Sequence, residues 1–212
     1  MRSTHPAVLP SSARPKAVSP LRAAAVYQRS ACTGFVKCAA FLVGFILLCS
    51  AHPAPAAEMT LEYQLKAAWL HNFLKYAEWP ATNFAGPDSP MVIGVLGENP
   101  FGEKLAEIVK SRPVNGREVQ VKRCVTVADA STCHLLFISP SEDERLPEIL
   151  PALAGNAVLT VGECAEFAVA GGMIRFVLDE TKLRFEINLG VTRKAGIQLN
   201  AQLLKLAAKI RN

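Results

Sequence analysis

Three short, almost uninterrupted apolar segments constrain the fold of this chain more than any other feature. They are residues 91–97, 134–138 and 157–161, and none contains an acidic residue, Lys or Arg. A strand with apolar residues at successive positions has to be buried on both faces, as in a parallel sheet covered by helices. Helical patterns alternate with these segments along 91–172, which indicates βαβ units.

The helices are predicted from apolar residues that recur with the period of a helix. The first is expected at 60–78, where Leu61, Leu65, Trp69 and Phe73 lie four residues apart. The remaining patterns predict a helix from Asn99 to about 111, a strand at 118–125, a helix at about 142–154 with Ser141 as its N-cap, and a short helix at 163–170.

The alternation of strand and helix patterns ends in the last third of the chain, where the sequence predicts an antiparallel hairpin. Residues 173–178 and 183–189 form its strands around a two-residue turn at Glu180 and Thr181. That turn length sets a register in which three pairs face each other: Phe176 with Phe185, Ile174 with Ile187, and Arg175 with Glu186.

A final helix is expected at 199–210, with Leu199, Leu203, Leu206 and Ile210 on one face. Together these patterns predict an α/β fold. Its sheet is mixed and mainly parallel, with helices on both faces and a C-terminal antiparallel hairpin plus helix.

The N-terminal segment, residues 1–57, has the pattern of a secretory signal peptide behind an extended basic leader. It contains six Lys and Arg residues and no Asp or Glu, then an apolar run at 38–48 and small residues ending at Ala57. The apolar run is short for a membrane-spanning helix, although an uncleaved anchor is the alternative. We therefore expect residues 58–212 to form one α/β domain that is exported across the inner membrane.

The positive charge of the chain belongs to this leader. The formal net charge is +5, but residues 58–212 carry 17 basic and 18 acidic residues. A nearly neutral domain lacks the basic patch that binding to a phosphate backbone requires. Nucleic acid is therefore excluded as a partner.

The exported part contains three cysteines, Cys124, Cys133 and Cys164. Export permits disulfides, and an odd number allows one bridge and one free thiol. Cys124 and Cys133 lie nine residues apart at the ends of two predicted strands, so we expect them to form the bridge. Metal binding is the rival interpretation, but His71 and His134 lack the spacing of a metal site. No metal or cofactor is predicted.

Polar residues near the carboxyl ends of the strands and on the hairpin mark a candidate site. Ligands of open α/β sheets bind at these strand ends. The alternative is a solvated face with one weak ion pair. No nucleophile motif surrounds the serines, so we expect no enzymatic activity. The candidate ligand or partner residues are Gly97, Ser139, Glu163, Arg175, Glu186 and Asn188.

A series of short motifs, in a fixed order across 60–210, resembles one known family. The motifs comprise Asn72-Phe73, Tyr76, Glu78-Trp79-Pro80, 94–97, Pro100-Phe101-Gly102, 114–117, 133–139, 158–163, Phe167, 171–174, 184–189 and Ala195-Gly196. Each motif is weak alone, but their shared order is specific. The chain resembles the YfiR-like proteins of the periplasm.

This resemblance implies a non-enzymatic regulator in the periplasm. It implies binding to the sensor region of an inner-membrane signalling protein, a diguanylate cyclase, and repression of cyclic-di-GMP synthesis and biofilm formation. A histidine kinase is the alternative membrane partner, and a periplasmic small-ligand-binding protein is the alternative function. The resemblance also implies a homodimer and disulfide-linked redox sensitivity.

Overall fold

A computed structural model of the protein describes residues 61–180 and 182–212, so the predicted leader lies outside the described residues. The helices are α1 (Leu61–Tyr76), α2 (Lys104–Val109), α3 (Val127–Ala130), α4 (Leu146–Leu153), α5 (Leu189–Lys194) and α6 (Ala201–Leu206). The strands are β1 (Ala77–Glu78), β2 (Met91–Leu96), β3 (Val119–Cys124), β4 (Leu135–Ile138), β5 (Leu159–Gly162), β6 (Ile174–Asp179), β7 (Lys182–Asn188), β8 (Gln198–Leu199) and β9 (Lys209–Arg211).

Seven strands form one mixed sheet in the order β3-β2-β4-β5-β6-β7-β9. Neighbouring strands from β3 to β6 are parallel, and only the β6–β7 pair is antiparallel. After β2 the chain adds β3 on one side of it, and it then adds β4 on the other side. The direction in which strands are added to the sheet therefore reverses between β2 and β4. In a doubly wound sheet, that reversal creates a crevice between the two strand ends.

The two faces of the sheet lie in two separate hydrophobic cores. Leu135 and Phe137 of β4 belong to the core that also contains buried residues of α1, α2 and α6, whereas Leu136 and Ile138 belong to the core that contains those of α3 and α4. This alternation follows from the two-residue period of a strand. The predicted α/β fold, with helices on both faces, is therefore confirmed.

The hairpin has the predicted register. Phe176 lies opposite Phe185, Ile174 opposite Ile187, and Arg175 opposite Glu186. The turn places Glu180 in the left-handed region, with a φ of 54°. A turn one residue longer or shorter would change which residues of the two strands face each other. The observed pairs are those expected for a two-residue turn.

Helix α1 joins the hairpin to the parallel part of the sheet through aromatic rings. The Phe185 ring lies 5.2 Å from that of Phe73 and 4.9 Å from that of Trp69, while Phe73 also lies 5.7 Å from Phe176. At the other end of the helix, Tyr63 meets Phe101 edge to face at 5.6 Å. None of the described helices has the length and apolar character needed to cross a membrane.

The helix predicted from Asn99 begins later, at Lys104. The Asn99 side chain accepts the Phe101 N–H and donates to the Gly102 carbonyl, and Gly102 has a φ of 53°. These contacts hold residues 100–103 in a turn, because an Asn side chain competes with the helix for backbone hydrogen bonds.

Two further helix predictions were wrong in detail. The segment predicted at 142–154 is a 3₁₀ helix, Pro140–Arg145, followed by α4, and Ser141 lies within the first of these rather than capping it. Residues 163–170 form hydrogen-bonded turns instead of a helix, since the Glu166 carbonyl accepts from both Val169 and Ala170.

The predicted final helix at 199–210 was also too long. Helix α6 ends at Leu206, because Ala207 is extended with a ψ of 135°. The Ala208 N–H then donates to the Phe185 carbonyl, and β9 continues the sheet parallel to β7. Leu203 is buried, whereas Leu206 and Ile210 are exposed, so the expected apolar face does not form.

We expect Phe185→Ala to lower the free energy of unfolding by about 3–5 kcal/mol, because the buried ring contacts both α1 and β6. Urea unfolding of the exported domain measures this loss. Leu178→Ala, on the same hairpin but largely exposed, is the control. Equal losses in both variants would contradict the role of the aromatic contacts.

Candidate functional site

The crevice between the ends of β2 and β4 is filled by the chain itself. Gly97 has a φ of 89°, and a Cβ at this position would lie 2.5 Å from Ser141 Oγ and 2.7 Å from Glu142 Cγ. Ser141 Oγ accepts the Glu98 N–H at 2.9 Å. Ser139 is 3 % exposed, and its N–H donates to the Leu96 carbonyl. Gly97 and Ser139 thus lie beside the same crevice. A cavity of about 360 Å³ lies next to it, lined by Gly97, Ser141 and the end of β3.

Glu163 lies directly after β5 and binds a buried lysine of α1. Lys66 is 2 % exposed, and its Nζ lies 2.6 Å from Glu163 Oε2 and in contact with Glu62 Oε1. It also lies over the Tyr63 ring at 4.3 Å. Burial opposes the charged form of Lys66, but the hydrogen bonds to Glu163 and Glu62 outweigh it and raise the pKa of this lysine. The cluster therefore fixes the start of α1 over the carboxyl end of β5.

The sequence analysis missed Lys66, although the sequence contains a signal for it. Lys66 precedes Leu70 by four residues and Phe73 by seven, so it belongs to the buried stripe of α1. A lysine within an apolar helix stripe requires a buried anionic partner. Glu163, itself a predicted site residue, is that partner.

Arg175, Glu186 and Asn188 lie together on the hairpin face away from α1. Arg175 Nε is 3.5 Å from Glu186 Oε2, and Arg175 also donates to the Ala165 carbonyl at 2.6 Å. Asn188 donates to the Ala168 carbonyl and accepts the Val191 N–H at the start of α5. These residues hold the 165–170 turns against the hairpin.

The six predicted site residues are thus distributed over three sets of contacts. Gly97 and Ser139 lie at the crevice, Glu163 binds α1, and the other three hold the 165–170 turns. Their side-chain contacts are with residues of the same chain. Binding of a ligand or partner by these residues remains a prediction.

The thiols of Cys124 and Cys133 face each other in the core that contains the buried residues of α3 and α4. Both are buried, and their sulfur atoms lie 3.7 Å apart as free thiols. A Cβ at Gly94 would lie 2.7 Å from Cys133 Sγ and 3.0 Å from Cys124 Sγ, so only glycine leaves room for both. The hydrogen bond from Cys133 lowers the pKa of Cys124, whereas that contact and burial raise the pKa of Cys133.

His134, beside this pair, is held by aromatic and backbone contacts. Its Nδ1 accepts the Val92 N–H at 3.1 Å, and its ring stacks on Phe84 at 4.7 Å. Burial, followed by the nearby charge of Arg117, lowers the pKa of His134. Nδ1 of His134 therefore has a backbone partner, and the ring packs against Phe84 and Trp79. Across the described part of the chain, no group of three His, Cys, Asp or Glu residues is placed to hold a metal ion.

The sequence pattern of the YfiR/HmsC-like family matches residues 63–208, which include every element from the first turn of α1 to the end of α6. The chain belongs to this family. Membership assigns it to a family of periplasmic regulatory proteins and implies interaction with an inner-membrane signalling protein.

Among solved structures, the chain is similar to an ABC domain from Streptococcus pneumonia that was determined in complex with L-Trp. The two are 12 % identical, with a TM-score of 0.47. The match covers 68 % of this chain and 60 % of that one. At this level the similarity supports no argument about function.

We expect Lys66→Met to lower the free energy of unfolding by about 2–3 kcal/mol, because it leaves the largely buried Glu163 carboxylate, and the more exposed one of Glu62, without their cation. Chemical denaturation at neutral pH measures this. Lys104→Met, which removes an exposed pair with Glu107, should leave the midpoint close to that of the parent. Adding Glu163→Gln to Lys66→Met should recover part of the loss, and no recovery would contradict the account.

The Cys124–Cys133 bridge remains a prediction that a thiol count tests. In protein recovered from the periplasm and denatured without reductant, we expect one reactive thiol, that of Cys164. Cys133→Ser should expose a second thiol, on Cys124. The bridge would add roughly 2–3 kcal/mol of stability by closing a short loop. Three reactive thiols in the parent protein would contradict it.

Proposed function

We propose that this protein is a periplasmic repressor that binds the sensor region of an inner-membrane diguanylate cyclase and lowers cyclic-di-GMP. The observation that carries the proposal is the family match over residues 63–208. The secretory pattern of residues 1–57 supports it, since an exported domain reaches cytoplasmic signalling only through a membrane partner. In this proposal cleavage leaves residues 58–212 as the active domain.

The partner surface that we propose is the outward face at the start of α1. Leu61 is 71 % exposed and Leu65 is 45 % exposed, one helical turn apart. The opposite side of this helix is fixed by Lys66 and Glu163. Two exposed leucines on a rigidly held helix can contribute apolar area to an interface without a large cost of ordering. Leu178 on the hairpin is the second candidate contact.

A small-ligand-binding function remains the alternative. It would use the strand ends at Gly97, Ser139, Glu163 and Arg175. The charged side chains at this place are already paired with residues of the same chain, and Ser141 and Glu142 fill the crevice. No contact in the described residues favours this function over the repressor.

Cellular cyclic-di-GMP tests the repressor directly. Deleting the gene should raise the cyclic-di-GMP level of the bacterium that encodes it, and returning the full chain should lower the level again. A chain that starts at Glu58 without the leader should stay in the cytoplasm and fail to lower it. An unchanged cyclic-di-GMP level after deletion would contradict the cyclase as partner.

The same assay tests the proposed surface. A full chain carrying Leu61→Glu and Leu65→Glu should reach the periplasm at the parental amount but no longer lower cyclic-di-GMP. Leu206→Glu on α6 is the matched control, because it places the same charge on an exposed leucine outside both candidate surfaces. Retained repression by the Leu61→Glu and Leu65→Glu chain, together with loss of repression by Leu178→Glu, would assign the partner surface to the hairpin instead.

A further inference from the structure

Strand β3 is an edge of the seven-stranded sheet, and within the described residues no strand pairs with its outer side. The Met91 N–H donates to the Glu118 carbonyl at 2.8 Å, so the backbone of Glu118 points towards β2. Backbone groups alternate in direction along a strand. Val119, Val121 and Arg123 therefore present their N–H and C=O groups to the open side, where they can pair with another strand.

A groove runs along this open edge between α2 and β3. Its volume is about 790 Å³, and it is lined by Val109 and Lys110 of α2 and by Glu118, Val119, Gln120 and Val121 at the edge. A groove of this size beside unpaired backbone groups has room for an added strand. Natural proteins normally protect such an edge, because it is a template for pairing with another chain.

The edge sequence is complementary to itself when it is read in the opposite direction. The segment Glu118-Val119-Gln120-Val121-Lys122 has an acid at one end, a base at the other, and matching residues between them. We propose that β3 pairs antiparallel with β3 of a second copy of this chain, with Gln120 opposite the partner's Gln120. The two sheets then form one continuous sheet about a two-fold axis.

This register follows from the symmetry and the charges. A two-fold axis normal to the sheet brings together residues from the same face, so the axis passes midway between the two copies of one residue. With Gln120 at the axis, Val119 lies opposite the partner's Val121, and Glu118 lies opposite the partner's Lys122. The valines belong to the face covered by α2 and are the residues whose backbone groups point outward. They form the hydrogen-bonded pairs.

The neighbouring registers lack this charge complementarity. With Val121 at the axis, Val119 would face the partner's Arg123 and Glu118 would face the partner's Cys124. With Val119 at the axis, Glu118 would face the partner's Gln120. Opposite charges on facing residues stabilise a strand pair, so the register centred on Gln120 is favoured.

Lys122 can join such a pair and keep the contacts that it makes within its own chain. Its Nζ donates to the Asp129 carbonyl at 3.2 Å and to Thr132 Oγ1 at 3.3 Å. An ammonium has three protons, so one remains for the partner's Glu118. Glu118 itself is exposed. This interface is separate from the proposed cyclase contact on α1, and its test does not depend on that function.

Disulfide trapping of Gln120→Cys tests the register in the exported domain with Cys164→Ser. Facing residues of a non-hydrogen-bonded pair have Cα atoms about 4.5 Å apart, within the range of a disulfide. We expect a covalent dimer on mild oxidation. Arg123→Cys is the control on the same exposed edge, because its two copies lie about 20 Å apart along the strand in this register. No dimer with Gln120→Cys, or equal dimer with both, would overturn the proposal.

A charge exchange provides an independent measurement. In sedimentation equilibrium the unmodified domain should be a dimer. Glu118→Lys should weaken dimerisation at least about tenfold, because it places a lysine opposite the partner's Lys122 at both ends of the strand pair. Combining Glu118→Lys with Lys122→Glu restores opposite charges and should restore the dimer. Circular dichroism confirms that each variant is folded. A dimer unaffected by Glu118→Lys, or a monomeric unmodified domain, would overturn the proposal.

Discussion

The buried ion pair between Lys66 and Glu163 is the contact on which the arrangement of the domain most depends. It fixes the first helix over the carboxyl end of β5, at the boundary between the parallel strands and the hairpin. Further along the same helix, the Trp69 and Phe73 rings pack on Phe185 of the hairpin. The helix thus contacts both parts of the sheet. Because breaking a buried ion pair leaves an uncompensated charge, this contact specifies where the helix lies.

The same constraint gives the regulatory proposal its physical basis. A helix fixed on its inner side presents Leu61 and Leu65 in a defined orientation. The far edge of the sheet, at β3, carries a different recognition surface with alternating charged and apolar residues. One of the two proposed surfaces is apolar, whereas the other is complementary to itself. The surface proposed for partner binding and the surface proposed for self-association therefore lie on different elements of the fold.

The sequence predicted the elements that depend on period and turn length, and it failed where one side chain redirects the backbone. The buried strands and the register of Phe176 with Phe185 were correct, because alternation and a two-residue turn leave one pairing. The Asn99 side chain accepts the Phe101 N–H, and the helix expected to begin there begins at Lys104 instead. The Ser141 side chain accepts the Glu98 N–H instead of capping the helix predicted after it. The extended Ala207, which turns the end of the chain into β9, depends on pairing with β7, a contact far away in sequence.

Native-state hydrogen exchange tests most directly the claim that helix α1 holds the two parts of the sheet together. The account predicts that the amides of Leu70–Leu74 are as strongly protected as those of β2, β4 and β7, and that all exchange through the same global opening. Exchange of the α1 amides through a smaller opening, which leaves β4 and β7 protected, would contradict it.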